Sequence, residues 1–156
     1  MNNGIWHDII ANQVLWACLV AWGVAQGLKV FVVLIRDRYL DLKYLVRSGG
    51  MPSSHTALVC ALATAVAMVA GFDSVAFAVA VVVALIVVYD ATGVRRSVGR
   101  QSVVLNRIVK ELMERRPRGE VEYNIRVLLG HTPYQVFAGA LLGIFVGWLW
   151  IVLFML

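Results

Sequence analysis

The sequence predicts an all-α integral membrane protein: an antiparallel bundle of about four transmembrane helices plus a cytoplasmic amphipathic helix. Three observations predict it. The chain is 61% hydrophobic with a mean hydropathy of +0.81, more apolar than an ordinary water-soluble domain. Its apolar residues gather into four runs, on the scale of the roughly 20 residues a helix needs to cross a hydrocarbon core. Its 14 Lys and Arg avoid both termini and one of the connections between the runs. A length of 156 residues suits a single domain, residues 1–156.

The first run covers residues 14–35, the second 56–70, the third 75–89 and the fourth 136–156. The middle two are short, so they are expected to extend into their polar flanks or to sit among longer neighbours. A helical hairpin buried in a soluble core is the competing reading, and the overall composition opposes it. The N-terminal stretch MNNGIWHDII lacks the basic region of a signal peptide, so the first span is expected to be retained. Cys18 and Cys60 fall inside apolar spans and outside any CxxC pair, which predicts packing residues rather than a disulfide or zinc ligands. Small residues support close helix packing: Ala61, Ala63 and Ala65 in the second span, and Gly139, Gly143 and Gly147 in the fourth. The glycines form two overlapping GxxxG patterns on one helix face. That face suits packing inside the bundle or against a second subunit, and the small size of the chain mildly favours a homo-oligomer.

Charge placement orients the bundle. Apart from Lys29, every Lys and Arg falls in residues 36–47 or 95–126. The N-terminal segment offers Asp8, the tip GFDS offers Asp73, and the terminal WLWIVLFML has no charged side chain. The positive-inside rule then places both basic loops in the cytoplasm and both termini outside. The net charge of +5 is therefore a topology signal first. The stretch RRSVGRQSVVLNRIVKELMERRPR has no base-stacking aromatics, so nucleic acid is not an expected partner, whereas anionic lipid headgroups of the bilayer are. Within it, Val103, Leu105, Ile108, Val109 and Leu112 recur on a rough helical period, predicting an amphipathic helix over 102–114. Pro117 and Gly119 break that pattern.

The unusual polar residues all lie at the span ends that face the basic side. Lys29 and Arg36 end the first span. Pro52, Ser53, Ser54 and His55 precede the second. Asp90, Arg95 and Arg96 follow the third in YDATGVRR. Arg126, His131 and Gln135 precede the fourth. Each has an ordinary use. Lys29 can snorkel, and Arg36 can anchor a helix end. PSSH can be a capped helix start, DATGVRR a helix stop, and His131 a loop residue. Their coincidence on one face argues for a basic pocket holding two histidines, where ionisable groups are costly and usually functional.

Such a pocket suits phosphoryl transfer. Lys and Arg bind phosphate oxygens by charge-assisted hydrogen bonds, and a helix N-terminus adds backbone N–H donors. One histidine can attack phosphorus while the other protonates the leaving oxygen. No cofactor is expected. A metal site is not expected either, because His7 lies at the opposite end of the first span from His55 and His131.

At these residues the chain resembles the divergent branch of the type 2 phosphatidic acid phosphatase superfamily, which also includes vanadium haloperoxidases. The superfamily pattern is K-x6-R-P, then P-S-G-H, then S-R-x5-H-x3-D. Here KVFVVLIR keeps the first spacing with Lys29 and Arg36, and Asp37 replaces the proline. PSSH carries the second motif, with Ser54 in the glycine position. RVLLGHTPYQVFAGALLG carries the third, with Arg126 one residue closer to His131 and Gln135 in the acidic position.

The resemblance implies a mechanism. His131 would be the nucleophile, and His55 would protonate the departing alcohol and then activate water. Lys29, Arg36, Ser53, Ser54 and Arg126 would hold the phosphoryl oxygens, with Arg95 or Arg96 substituting for the displaced Arg126. Asp90 or Gln135 would orient His131. The substrate would be a lipid or polyprenyl phosphate at the cytoplasmic leaflet. The alternative is a non-catalytic protein that binds or transports a phospholipid through the same pocket. A structural membrane subunit without ligand would leave the one-sided clustering to chance.

Overall fold

Three of the helices begin where the sequence supplies a side-chain acceptor, Asn12, Ser53 or Ser74, for an otherwise unpaired backbone N–H. The computed structural model describes residues 4–38, 50–93, 101–105, 107–109 and 132–155. Helix α1 spans Gly4–Ala11, and α2 spans Gln13–Asp37. Between them Asn12 caps α2 by accepting the Leu15 N–H at 3.0 Å. Helix α3, Ser54–Ala70, is capped by Ser53, and α4, Val75–Thr92, is capped by Ser74, which accepts the Phe77 N–H at 3.1 Å. Gly71 joins α3 to α4 at φ +89°, a left-handed conformation that favours glycine. Helix α5, Pro133–Phe154, starts after Thr132, with proline in its first turn, where the missing N–H costs nothing.

Helices α2, α4 and α5 are long and apolar enough to cross a membrane. Helix α3 has 17 residues, about 25 Å of helix. Both middle helices do run into their polar flanks, α3 starting at Ser54 and α4 ending at Thr92. The amphipathic segment is helical at 101–105 and 107–109; its remainder, 110–114, lies outside the described residues. Helix α1 was not expected from the sequence, whose N-terminal stretch gives too short a periodic signal to stand out.

Consecutive spans run antiparallel, so α3 and α5 run parallel to each other. Helix α3 is central and packs on α2, α4 and α5. Its buried residues include Ala57, Ala61 and Ala65, one helical turn apart, and they are met by equally small residues on both neighbours. On α2 these are Ala17, Ala21 and Ala25, all fully buried. On α5 the partners are the glycines. A Cβ at Gly139 would strike the Ser53 carbonyl oxygen, one at Gly143 the Ala57 carbonyl oxygen, and one at Gly147 would lie 2.9 Å from the Ala61 carbonyl oxygen. The glycine face therefore packs inside the bundle, against α3. At the Gln13 end of the bundle, Ala17, Ala65 and Ile151 form a buried cluster flanked by Val14, Met68 and Trp150. There the Trp150 Nε1–H donates to Gln13 Oε1 at 3.1 Å, tying the end of α5 to the start of α2.

Candidate functional site

The bundle end opposite Gln13 gathers the last turns of α2 and α4 and the first turns of α3 and α5. Lys29 turns inward there, with 3% of its surface exposed. Its Nζ donates to Gln26 Oε1 at 2.8 Å and to Ser54 Oγ at 2.9 Å. Gln26 sits one helical turn earlier on α2, where i,i+3 spacing brings two side chains together. Ser54 opens α3. Gly50, at φ +88°, lies against the aliphatic stem of Lys29, where an added Cβ would sit 3.7 Å from Cγ and Cδ. Pro52 is buried as well.

Snorkelling is thus not what Lys29 does. Its ammonium is held under the 50–54 segment by two neutral oxygens, and among the described residues no carboxylate accepts from it. Burying an ammonium is expensive unless a charge of opposite sign comes to it. Among the described residues, the Lys29 ammonium meets neutral oxygens alone.

Ser53 has two functions in the geometry. Its Oγ accepts the Thr56 N–H at 3.4 Å and the Thr56 Oγ1–H at 2.9 Å, which fixes the first turn of α3. Its own N–H donates to the Gln135 carbonyl at 3.0 Å, which ties that turn to the first turn of α5. Gly139, one turn further along α5, allows the contact by lying directly on the Ser53 backbone. The PSSH segment is thereby joined to the start of α5 by a backbone hydrogen bond and a close backbone contact.

Of the sequence-predicted site residues, Lys29, Ser53, Ser54 and Gln135 come together in this network. His55 is exposed in the first turn of α3, between buried Ser54 and Thr56. Asp90 is half-buried in the last turn of α4, at the same bundle end. Gln135 directs its Oε1 to the Thr132 N–H at 3.0 Å, capping α5. Arg36 lies in the last turn of α2, and its side chain lies outside the described part of the structure. Arg95, Arg96, Arg126 and His131 also lie outside the described residues. The sequence reading missed Gln26 and Thr56, both buried. Gln26 carried a usable signal, a polar residue inside an apolar span one turn from the only lysine there. Thr56 carried none, since a threonine opening an apolar helix reads as part of the span.

Residues 10–146 match the model of a family described as the divergent PAP2 family. Over 146 residues the chain is 40% identical to a Bacillus subtilis (strain 168) protein described as the uncharacterized membrane protein YuiD, across 88% of this chain and 92% of that one. No solved structure matches. With three helices of spanning length, the chain is a multi-pass integral membrane protein.

Proposed function

This chain belongs to the divergent PAP2 family, and from that premise we propose that it is a membrane-embedded phosphatase hydrolysing a lipid or lipid-linked phosphate through a phosphohistidine. The observation that carries the reading is Lys29, a buried ammonium with neutral partners, set beside the capped N-terminus of α3. Lysine and a helix N-terminus together form a phosphate cradle.

In this reading Lys29, Arg36, Ser53, Ser54 and Arg126 hold the non-bridging oxygens, helped by Arg95 and Arg96. A ring nitrogen of His131 attacks phosphorus, and the bond to the lipid oxygen breaks. His55 gives that oxygen its proton, the lipid alcohol leaves, and His55 remains as a neutral base. It then takes a proton from water, whose oxygen attacks the phosphohistidine, releasing inorganic phosphate and the free His131 ring. The cations act on charge that shifts among the phosphoryl oxygens in the transition state. Asp90 and Gln135 orient the nucleophilic ring. The two basic loops face the cytoplasm and both termini lie outside, so the substrate is drawn from the cytoplasmic leaflet.

A second reading is a phospholipid-binding or transport protein that keeps the cradle without turnover. One observation favours it: Gln135, in the position of the family acid, spends its amide oxygen on the helix cap and brings no negative charge to His131. The test is phosphate release from a panel of lipid phosphates by purified protein in EDTA, compared with His131→Ala and His55→Ala. Release that vanishes in both variants supports the phosphatase. Headgroup binding with no release from any lipid supports the second reading.

A further inference from the structure

At the bundle end far from Lys29, α1 presents a surface that the proposed phosphatase chemistry does not use. On a helical wheel of about 100° per residue, Ile5, Trp6, Ile9 and Ile10 fall within roughly 140°. Gly4, His7, Asp8 and Ala11 occupy the opposite side. All four large apolar side chains are exposed, from 45% for Ile9 to 71% for Ile5 and Trp6. His7 and Asp8 pair across 3.8 Å, 82% exposed on each side. With no described residue covering its apolar side, this amphipathic helix needs an occupant for that side.

The connection to α2 decides which occupant. A single residue, Asn12, separates α1 from a membrane-crossing helix that starts at Gln13. The turn is braced: the Trp16 Nε1–H donates to the Ile10 carbonyl at 2.8 Å, and the Asn12 N–H to the Ile9 carbonyl at 3.3 Å. Helix α1 is therefore fixed at the depth where α2 enters the bilayer. The tryptophans mark the same level independently. Trp16 lies in the first turn of α2, and Trp148 and Trp150 lie near the end of α5, where Trp150 reaches Gln13. With Trp6 they form the kind of aromatic band that sits at a headgroup boundary.

We propose that α1 is an interfacial anchor, lying in the plane of the bilayer with Ile5, Trp6, Ile9 and Ile10 in the acyl boundary and His7 and Asp8 among the headgroups. The anchor also sets depth. Lys29 lies about 24 Å along α2 from Gln13, against a hydrocarbon core of about 30 Å. A bundle held at one boundary by α1 keeps its buried lysine a few ångströms inside the other.

The test uses the full chain in vesicles of phosphatidylcholine and phosphatidylglycerol. Cys18 and Cys60 are replaced by alanine, and single spin labels are placed through Ile5→Cys, His7→Cys, Asp8→Cys and Ile9→Cys. The labels at 5 and 9 are expected to show an oxygen-to-nickel-chelate accessibility ratio several-fold above those at 7 and 8. Four equally nickel-accessible labels would overturn the proposal, because α1 would then stand in water. Strong dipolar broadening between labels at 5 and 9 of separate chains would overturn it too, since a second copy would then cover the face. A label-free check compares Trp fluorescence quenching by brominated lipids in the parent chain and in Trp6→Phe. The signal lost with Trp6 is expected to be quenched most by the shallowest bromines, and quenching by none of them counts against the anchor.

Discussion

A single methyl group on α5 tests the packing and the site together. In Gly139→Ala, the new Cβ would overlap the Ser53 carbonyl oxygen and lie 3.2 Å from both the carbonyl carbon and the Cβ of Ser53. The oxygen it strikes is backbone at a helix cap, with no rotamer to give way, so α5 has to move off α3. A shift of about 1 Å restores ordinary contact. It also stretches the 3.0 Å bond from the Ser53 N–H to the Gln135 carbonyl to about 4 Å, beyond hydrogen-bonding range. Overpacking costs about 1–3 kcal/mol and the lost bond about 1 kcal/mol, for a total of roughly 2–4 kcal/mol.

Thermal unfolding in nanodiscs, followed by intrinsic fluorescence, reads this loss. Two other glycines calibrate it. At Gly147 the nearest contact is 2.9 Å, so Gly147→Ala needs a smaller shift and is expected to cost less. At Gly23 nothing lies within 4 Å, so Gly23→Ala gains only helix propensity, up to about 1 kcal/mol of stabilisation. Because Gly139 holds the PSSH segment to α5, its variant should also lose more phosphate release or binding than Gly147→Ala. A Gly139→Ala protein that melts with its parent, or a Gly23→Ala protein that is equally damaged, refutes the reasoning.

Three further outcomes are expected. Lys29→Met, similar in length and uncharged, should reduce phosphate release or headgroup binding by about tenfold or more, while the folded bundle survives because a buried charge has been removed. Unchanged release and binding would take Lys29 out of the site. Ser53→Ala should cost about 1–2 kcal/mol as a lost helix cap, with a further penalty for the buried Thr56 hydroxyl left without its acceptor; a melting curve like that of the parent would contradict this. Trp150→Phe should cost about 1 kcal/mol through its bond to Gln13. Gln13→Ala should match it, and the double variant should melt no lower than either single one if the bond is the shared cause.

The site was partly legible in the sequence because its residues are chemically out of place. A lysine inside an apolar span and a PSSH segment at the mouth of another stand out against hydropathy. The alternation of span directions then puts them on one side. The side of the helix on which each residue sits was not legible. Spans apolar all round carry no stripe to show which face is inside, so Lys29 read equally well as snorkelling outward. Its inward turn depends on Gln26 and on Ser54, the latter 25 positions away in the chain.

The glycine stripe shows the same division. The repeat at Gly139, Gly143 and Gly147 announced close approach to some helix, and the sequence left open whether that helix was in the same chain. Small residues at four-residue spacing are a surface that fits any equally flat partner, and α3 offers one with Ala57, Ala61 and Ala65. Composition and hydropathy determined by themselves that this chain is a helical membrane protein, and polar residues at the span ends singled out a wider set that includes Lys29, Ser53, Ser54 and Gln135. The tertiary structure alone decided that α5 packs on α3, that Lys29 is buried among neutral oxygens, and that α1 folds off the start of α2. Hydrophobicity is a property of each residue and is written in order along the chain. Close packing and hydrogen bonding belong to pairs of residues, and those pairs exist only once the helices have met.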